Sequence, residues 1–209
     1  MGFNIRDLSS HQVSRMIENG IWNEDCPVHH SRLKVLELNY FNFDNEIHSG
    51  QMMVLEEVSS QVISIFKELY KLQFPIAMMV LVDEFEGDDV RSMEANNTSA
   101  FNGRKVMGTN RWSSHAFGTA IDVNTIQNPY VRIQEEDATA KIYPSSGIKY
   151  LNRNLHEKGM VEDIVPIFAK HGFTNWGGNW ANPLDYHHFQ LPWSKIKELF
   201  PNADIELKE

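Results

Sequence analysis

Apolar positions along the chain predict a mixture of strands and helices. Every second residue from Leu36 to Tyr40 is apolar, which is the period of a half-buried strand, so Lys34–Tyr40 is predicted as the first strand. Between Gly50 and Leu72, apolar residues recur at helical spacing, and a proline follows at position 75. This stripe predicts one amphipathic helix, with its apolar members at Val54, Val58, Val62, Ile65, Phe66 and Leu69.

Shorter patterns follow in the rest of the chain. Ile76–Val82 is an uninterrupted apolar run, as expected of a strand that is covered on both faces. Thr119–Asn124 is compatible with a strand, whereas Val161–His171 and Ser194–Phe200 are predicted as helices. Strands and helices do not alternate regularly, which favours an α+β fold with a small antiparallel sheet and helices packed against it.

Length and composition indicate one core. The 209 residues are 42% hydrophobic and 22% charged, which suits a single well-buried domain and is short for two. No repeat, low-complexity stretch or linker divides the sequence. We therefore expect a monomer with one domain at residues 34–209, preceded by an N-terminal extension at residues 1–33.

The formal net charge of −9 argues against several kinds of partner. Non-specific binding to nucleic acid needs a basic surface, and anionic membranes also attract one. We expect neither as a partner, and we expect the substrate to be recognised in a pocket. The single cysteine, Cys26, excludes an intramolecular disulfide. No signal peptide opens this chain, so we expect it in the cytoplasm as given, or in a secreted or periplasmic form if a signal has been removed.

A histidine and a carboxylate stand on either side of a glycine in the segment 113–122. His115 and Asp122 lie seven residues apart, and Gly118 between them permits a turn that would bring the two side chains together. Imidazole nitrogen and carboxylate oxygen are both zinc ligands. The spacing alone suits a buried hydrogen-bonded pair as well as a metal site.

A second segment carries more groups of the same kind. Asp185 stands close to two adjacent histidines, His187 and His188, downstream of a Trp-Gly-Gly sequence. A hydrolytic zinc site needs three protein ligands, an open position for water and a nearby group that takes a proton. The two segments together contain such a set.

The motifs resemble those of the zinc D-Ala-D-Ala carboxypeptidases and L-Ala-D-Glu endopeptidases, which are relatives of lysostaphin and of the hedgehog signalling domain. Ser-x-His-x-x-Gly-x-Ala-x-Asp stands at residues 113–122 and Asp-x-x-His at residues 185–188. One branch of the family also carries the blocks present here at Asn96–Arg104, Asn128–Tyr130 and Trp176–Gly178. The resemblance covers roughly residues 34–193. It implies a small antiparallel sheet with packed helices, and zinc-dependent hydrolysis of peptidoglycan stem peptides or other peptides with D-amino acids, most simply as a D-Ala-D-Ala carboxypeptidase.

By this similarity, His115, Asp122 and His188 would bind the zinc ion and Asp185 would act as the general base. Strand alternation favours His187 as the third ligand instead, because it would share a side with Asp185 if the segment were extended. In the family pattern the ligand is followed by Phe and an acid or amide, as in Phe189-Gln190. We therefore predict His188 as the ligand, and His187 as a residue that contacts either the ligands or the substrate.

Two further roles follow from the resemblance. Family members use a cation to polarise the scissile carbonyl, and we predict Arg104 for this role, with Arg91 as the alternative. Ser113 is predicted to bind substrate, although bonding of its side chain to the local backbone is an equally good interpretation. The competing function is a zinc-containing binding or signalling domain without turnover, against which Asp185 in the base position argues.

Overall fold

The computed structural model describes residues 2–134, 136 and 138–203, and its longest strands lie in the first third of the chain. Strand β1 (Asn4–Asp7) pairs with β2 (Leu33–Phe41), which pairs along its whole length with β3 (Ile47–Leu55); both pairings are antiparallel. Helix α1 (Ser10–Glu18) begins at a capping box, and helix α2 (Ser59–Lys71) packs on β2. The strand predicted at the start of the domain is confirmed as β2.

Residues 50–72 divide between a strand and a helix, which corrects the prediction of one helix from Gly50 to Leu72. Gly50–Leu55 belong to β3, and the α-helix begins only at Ser59. Consecutive residues from Met52 to Leu55 are all buried, so this strand is covered on both faces and shows no alternation. The prediction failed because Val54 lies four residues before Val58 and continued the helical spacing into the strand.

The apolar run Ile76–Val82 is not a strand, which is a second correction. Met78 forms only an isolated bridge with Asn97. The side-chain amide of Asn97 donates to the carbonyl of Val80 at 3.0 Å and accepts from its N–H at 3.0 Å, while Asn124 Oδ1 accepts from the N–H of Ala77 at 3.0 Å. Side-chain amides thus satisfy backbone groups that a ladder of hydrogen bonds would otherwise pair.

The second half of the chain forms two further small sheets. Their strands are β4 (Ala120–Asp122), β5 (Tyr130–Ile133), β6 (Ala140–Tyr143), β7 (Asn175–Trp176), β8 (Leu184–Asp185) and β9 (His188–Gln190). One sheet has the order β4-β9-β7 and the other β6-β5-β8, and all of their pairings are antiparallel. The prediction of an α+β fold with antiparallel strands is therefore confirmed, with the strands divided over several small sheets.

The shorter predicted elements are confirmed, and the remaining helices are short. Helix α3 (Asp89–Glu94) follows a 3₁₀ helix at Val82–Phe85, α4 (Val165–Lys170) continues a turn of 3₁₀ helix, and α5 (Trp193–Leu199) follows Pro192. The strand predicted at Thr119–Asn124 is β4. In the part of the chain that the structure describes, no helix is both long and apolar enough to cross a membrane.

The residues before β2 pack into the same core as the rest of the chain. Met16, Ile21 and Trp22 are buried, and the indole N–H of Trp22 donates to the carbonyl of Val28 at 2.8 Å. The carbonyl of Ile21 also accepts from the N–H of Gly103 at 2.9 Å. The division into an N-terminal extension and a peptidase domain stays a prediction.

Candidate metal centre

Three side chains of metal-ligand type converge where β4 meets β9. Asp122 and His188 are direct partners in the antiparallel register, so their side chains lie on the same face. His115 approaches from the short 3₁₀ helix Ser114–Phe117, just before β4. Its Nε2 lies 3.2 Å from Oδ2 of Asp122 and 3.1 Å from Nδ1 of His188, which lies 3.0 Å from Oδ1 of Asp122. All three residues are buried.

Gly118 allows the loop that carries His115 to join β4 at this close distance. Its φ of 66° lies in the left-handed region, which residues with a side chain rarely adopt. A Cβ atom at this position would also lie only 2.6 Å from the backbone nitrogen of Leu55, whose N–H donates to the carbonyl of Gly118. A glycine is therefore needed between the two ligand-type residues for both reasons.

Hydrogen bonds behind the cluster determine which ring nitrogen of each histidine faces it. Nδ1 of His115 donates to the carbonyl of Ala100 at 2.6 Å, which leaves a lone pair on Nε2. Nε2 of His188 donates to Oε1 of Gln190 at 2.9 Å, which leaves a lone pair on Nδ1. The amide of Gln190 is itself fixed, because its nitrogen donates to the carbonyl of Leu191 at 3.2 Å. Two imidazole lone pairs and one carboxylate therefore point at the same place.

This arrangement fits a divalent cation. Around a tetrahedral zinc ion with ligand bonds of ~2.0–2.1 Å, donor atoms stand ~3.3 Å apart. The separations of 3.0–3.2 Å within the cluster are close to that value. Burial opposes ionisation of Asp122, but the imidazoles of His115 and His187 outweigh it and hold the pKa of this carboxyl well below its usual range. His115, Asp122 and His188 could therefore hold a metal ion.

Asp185 and His187 lie beside these three residues. Nε2 of His187 is 2.9 Å from Oδ1 of Asp185 and 3.8 Å from Oδ2 of Asp122, and Nδ1 donates to the carbonyl of Asn128 at 2.7 Å. Burial opposes protonation of this ring, but the two carboxylates outweigh it and raise the pKa of His187 to about 10. Although Oδ1 of Asp185 is close to His187, it makes no well-aligned hydrogen bond with the described residues. A buried carboxylate that is paired with His187 thus lies next to the cluster.

The chain turns between Asp185 and His188, so strand alternation does not apply across this segment. Strand β8 ends at Asp185, β9 begins at His188, and residues 186–187 form the turn. As a result, Asp185, His187 and His188 all lie on the side of Asp122. Only His188 has a nitrogen near both His115 and Asp122, and this geometry favours it over His187 as a ligand.

Ser113 fixes the loop that carries the first ligand-type histidine. It stands at the N-cap of the 3₁₀ helix, and its Oγ accepts from the N–H of His115 at 3.3 Å. The side chain thus makes the local contact that was one of its two interpretations. Its role in substrate binding stays a prediction.

The two candidate arginines have different surroundings. The backbone carbonyl of Arg104 accepts from the N–H of Ser113 at 3.1 Å, so the two loops are joined directly. Its guanidinium pairs with Asp89 at 2.6 Å, and its Nε is buried without a hydrogen-bond partner among the described residues. Arg91 instead pairs with Glu86 at 3.1 Å, and 53% of its side chain is exposed. These surroundings favour Arg104 as the arginine associated with the His115 loop.

A buried asparagine, Asn128, supports the site from behind, and the sequence reasoning gave it no role. Its carbonyl orients His187, while its fully buried side chain joins several segments. The only sequence signal was the Asn-Pro-Tyr block, which was noted as part of the family pattern. The amide group donates to the carbonyls of Val123, Asn124 and Gly159, and accepts from Arg153 and the N–H of Val161, at distances of 2.7–3.1 Å.

Replacement of this amide should therefore destabilise the fold. Asn128→Ala leaves the N–H of Val161 without its acceptor and the carbonyl of Val123 without its donor, and each unsatisfied buried group costs ~1–3 kcal/mol. It also removes one hydrogen bond from Arg153, which keeps its bonds to Glu162. We expect the free energy of unfolding to fall by about 3 kcal/mol or more, measured by denaturant unfolding. Asn202→Ala, at an exposed asparagine, is the matched control and should change it by less than ~0.5 kcal/mol. Equal midpoints for the two variants would contradict the role of Asn128.

Comparison with known proteins bears on the same part of the chain. Residues 107–191 match the family model described as D-alanyl-D-alanine carboxypeptidase, and this range contains His115, Asp122, Asp185 and both adjacent histidines. No curated protein and no solved structure matches the chain. The match supports a peptidase of that family, and with it the broader part of the resemblance seen in the motifs. Together with the buried cluster, it supports a hydrolase of the metallopeptidase type.

Proposed function

We propose that the protein is a zinc-dependent peptidase that hydrolyses the stem peptides of peptidoglycan, acting as a D-Ala-D-Ala carboxypeptidase. The observation that carries this proposal is the convergence of His115, Asp122 and His188, with the buried carboxylate of Asp185 close by. The match of residues 107–191 to a carboxypeptidase family model points to the same substrate class.

The chemistry divides between the metal and the side chains around it. A bound zinc ion would act as a Lewis acid, which polarises the scissile carbonyl and lowers the pKa of a bound water towards ~7. His115, Asp122 and His188 would hold the ion, each with its donor atom facing the cluster. Asp185 accepts the proton of the attacking water and then returns it to the leaving amine. His187 lies against Asp185 at 2.9 Å, and the Asn128 carbonyl fixes its ring, so it helps to hold the base in place.

Arg104 is proposed to stabilise the negative charge that develops on the carbonyl oxygen. A guanidinium suits this role because it stays charged and presents several donors in a fixed plane. Two observations support Arg104: its loop is hydrogen-bonded to Ser113, and its Nε–H is a buried donor without a partner among the described residues. Asp89 holds the other side of the group at 2.6 Å, which limits the movement of the guanidinium.

The alternative function is a binding or signalling domain that keeps a metal without turnover. Such a domain needs the ligands but no proton acceptor. The position of Asp185 next to the cluster favours the enzyme, because a buried carboxylate that is not one of the three converging residues can take a proton from water.

Metal analysis combined with product analysis tests the proposal. We expect about one zinc ion per purified chain, and release of D-alanine from purified muropeptides, detected by mass spectrometry. Removal of the metal by a chelator should abolish the release, and added zinc should restore it. Cleavage that persists after metal removal would exclude a metallopeptidase. Bound zinc without cleavage of any wall peptide would support the binding domain.

A further inference from the structure

A row of side chains continues from Asp185 across the neighbouring sheet. Tyr130 of β5 is the direct partner of Asp185 on one side and of Tyr143 on the other. Residues that face each other in antiparallel strands have their side chains on the same face. Asp185, Tyr130 and Tyr143 therefore form one row, in which the two phenol rings stand 6.3 Å apart.

Two cations form a second row on this face. Arg132 and Lys141 are direct partners, two residues along their strands from the tyrosines, so their side chains share the tyrosine face. Both are exposed, and neither forms an ion pair with a described residue. Burial raises the pKa of Tyr130. The charge of Arg132 opposes this shift and the charge of Asp185 adds to it, so Arg132 and Asp185 both lie within electrostatic reach of the phenol.

The opposite face of the sheet is apolar, and the hairpin is held firmly beside the site. Val131 and Leu184 lie on that opposite face and are half-buried. The side-chain amide of Asn182 donates to the carbonyl of Ile133 and accepts from its N–H, both at 3.0 Å. The N–H of Tyr186 also donates to the carbonyl of Pro129 at 3.4 Å. The tyrosines and cations thus have a fixed position relative to Asp185.

The charges on this face suit an anion next to the reacting bond. Arg132 and Lys141 place two exposed cations on the face that also carries Asp185. A base that returns its proton to the leaving amine must lie on the side of the leaving group. Arg132 stands ~6.8 Å along β5 from Tyr130, about the length of two extended residues, which brings its charge within reach of the first residue after the cleaved bond.

We propose that Tyr130, Tyr143, Arg132 and Lys141 form a subsite that binds the carboxylate of the leaving-group residue. The proposal rests on the proposed function, because it takes Asp185 as the group beside the leaving amine. The tyrosine rings pack against the side chain of that residue, and the two cations bind its carboxylate. Substrates that end in a free carboxylate are therefore preferred over the same peptides with a C-terminal amide.

The test compares N-acetyl-L-Lys-D-Ala-D-Ala with its C-terminal amide. Binding of each peptide is measured by calorimetry on zinc-loaded protein with Asp185→Asn, which slows cleavage, with and without the double change Arg132→Gln and Lys141→Gln. A charge-assisted contact should favour the carboxylate about tenfold or more, and the double change should remove this preference while leaving binding of the amide unaltered. Lys197→Gln, at an exposed lysine on α5, is the control and should preserve the preference.

The possible failures separate the two proposals. Equal binding of both peptides before and after the double change, or no binding of either, would overturn the subsite even if the wild-type protein is an active peptidase. Selective binding of the carboxylate, without metal-dependent hydrolysis by the wild-type protein, would overturn the proposed function and leave the subsite in place. KM values of the wild-type enzyme for the two peptides give a second readout, because the subsite predicts a lower KM for the carboxylate.

Discussion

His188→Ala is expected to lose the metal ion, whereas His187→Ala is expected to keep it. Nδ1 of His188 lies within 3.1 Å of donor atoms on both His115 and Asp122, while His187 approaches Asp122 only to 3.8 Å. Loss of one of three ligands should weaken binding by more than the ~10–100-fold that is typical when a hydrogen-bonding partner behind a ligand is lost. His187→Ala should stay within that smaller range and lose activity only in part.

Metal content after dialysis, measured by elemental analysis, decides between the two histidines. The two variants differ by one position in the chain and remove the same ring, so each is the control for the other. We expect about one zinc ion per chain in His187→Ala and close to none in His188→Ala. The reverse result would move the ligand to His187 and would show that the side chains rearrange when the metal binds.

Asp185→Asn is expected to give a folded, zinc-loaded protein that is ~10²–10⁴-fold slower, which is the usual contribution of a general acid–base group. The amide has nearly the same size as the carboxylate but cannot take a proton from water. The metal should be retained, because Asp185 is not one of the three residues whose donor atoms converge. Initial rates of D-alanine release, together with metal content, measure both properties.

The control for this variant is Asp163→Asn, which makes the same change at an exposed carboxylate. Its activity should equal that of the wild-type protein. A wild-type rate in Asp185→Asn would show that another group takes the proton. A slow variant that has also lost its zinc would instead assign Asp185 to the metal site.

The motifs predicted the candidate site better than the apolar pattern predicted the fold. His115, Asp122 and His188 were selected from spacing and family resemblance, and the structure brings their donor atoms together. Strand alternation favoured His187 as the ligand, because that argument assumes that residues 185–188 are extended. The turn at residues 186–187 depends on the pairing of β8 and β9 with different sheets, and such pairing cannot be read from four residues.

The errors in the fold have a common physical origin. Met52–Leu55 and Ile76–Val82 are both uninterrupted apolar runs, and such runs lack the alternation that distinguishes strand from helix. Their conformation depends on distant partners. β3 pairs with β2, whereas the backbone around Val80 bonds to the amide of Asn97, a residue that the sequence reasoning treated only as part of a family motif.

A backbone hydrogen bond joins Ile21, near the start of the chain, to the loop that carries Arg104. The carbonyl of Ile21 accepts from Gly103, one residue before Arg104, and a Cβ atom at Gly103 would lie 2.1 Å from that oxygen. Asn19 makes a similar link, since its side-chain amide donates to the carbonyl of Asp83 at 3.2 Å, before the stretch that holds Asp89. Shortening this protein to residues 34–209 would therefore remove the acceptor of the Gly103 N–H and leave the bond to Ser113 in place. A fragment trimmed in this way for expression or fusion is expected to hold the Arg104 side chain less firmly.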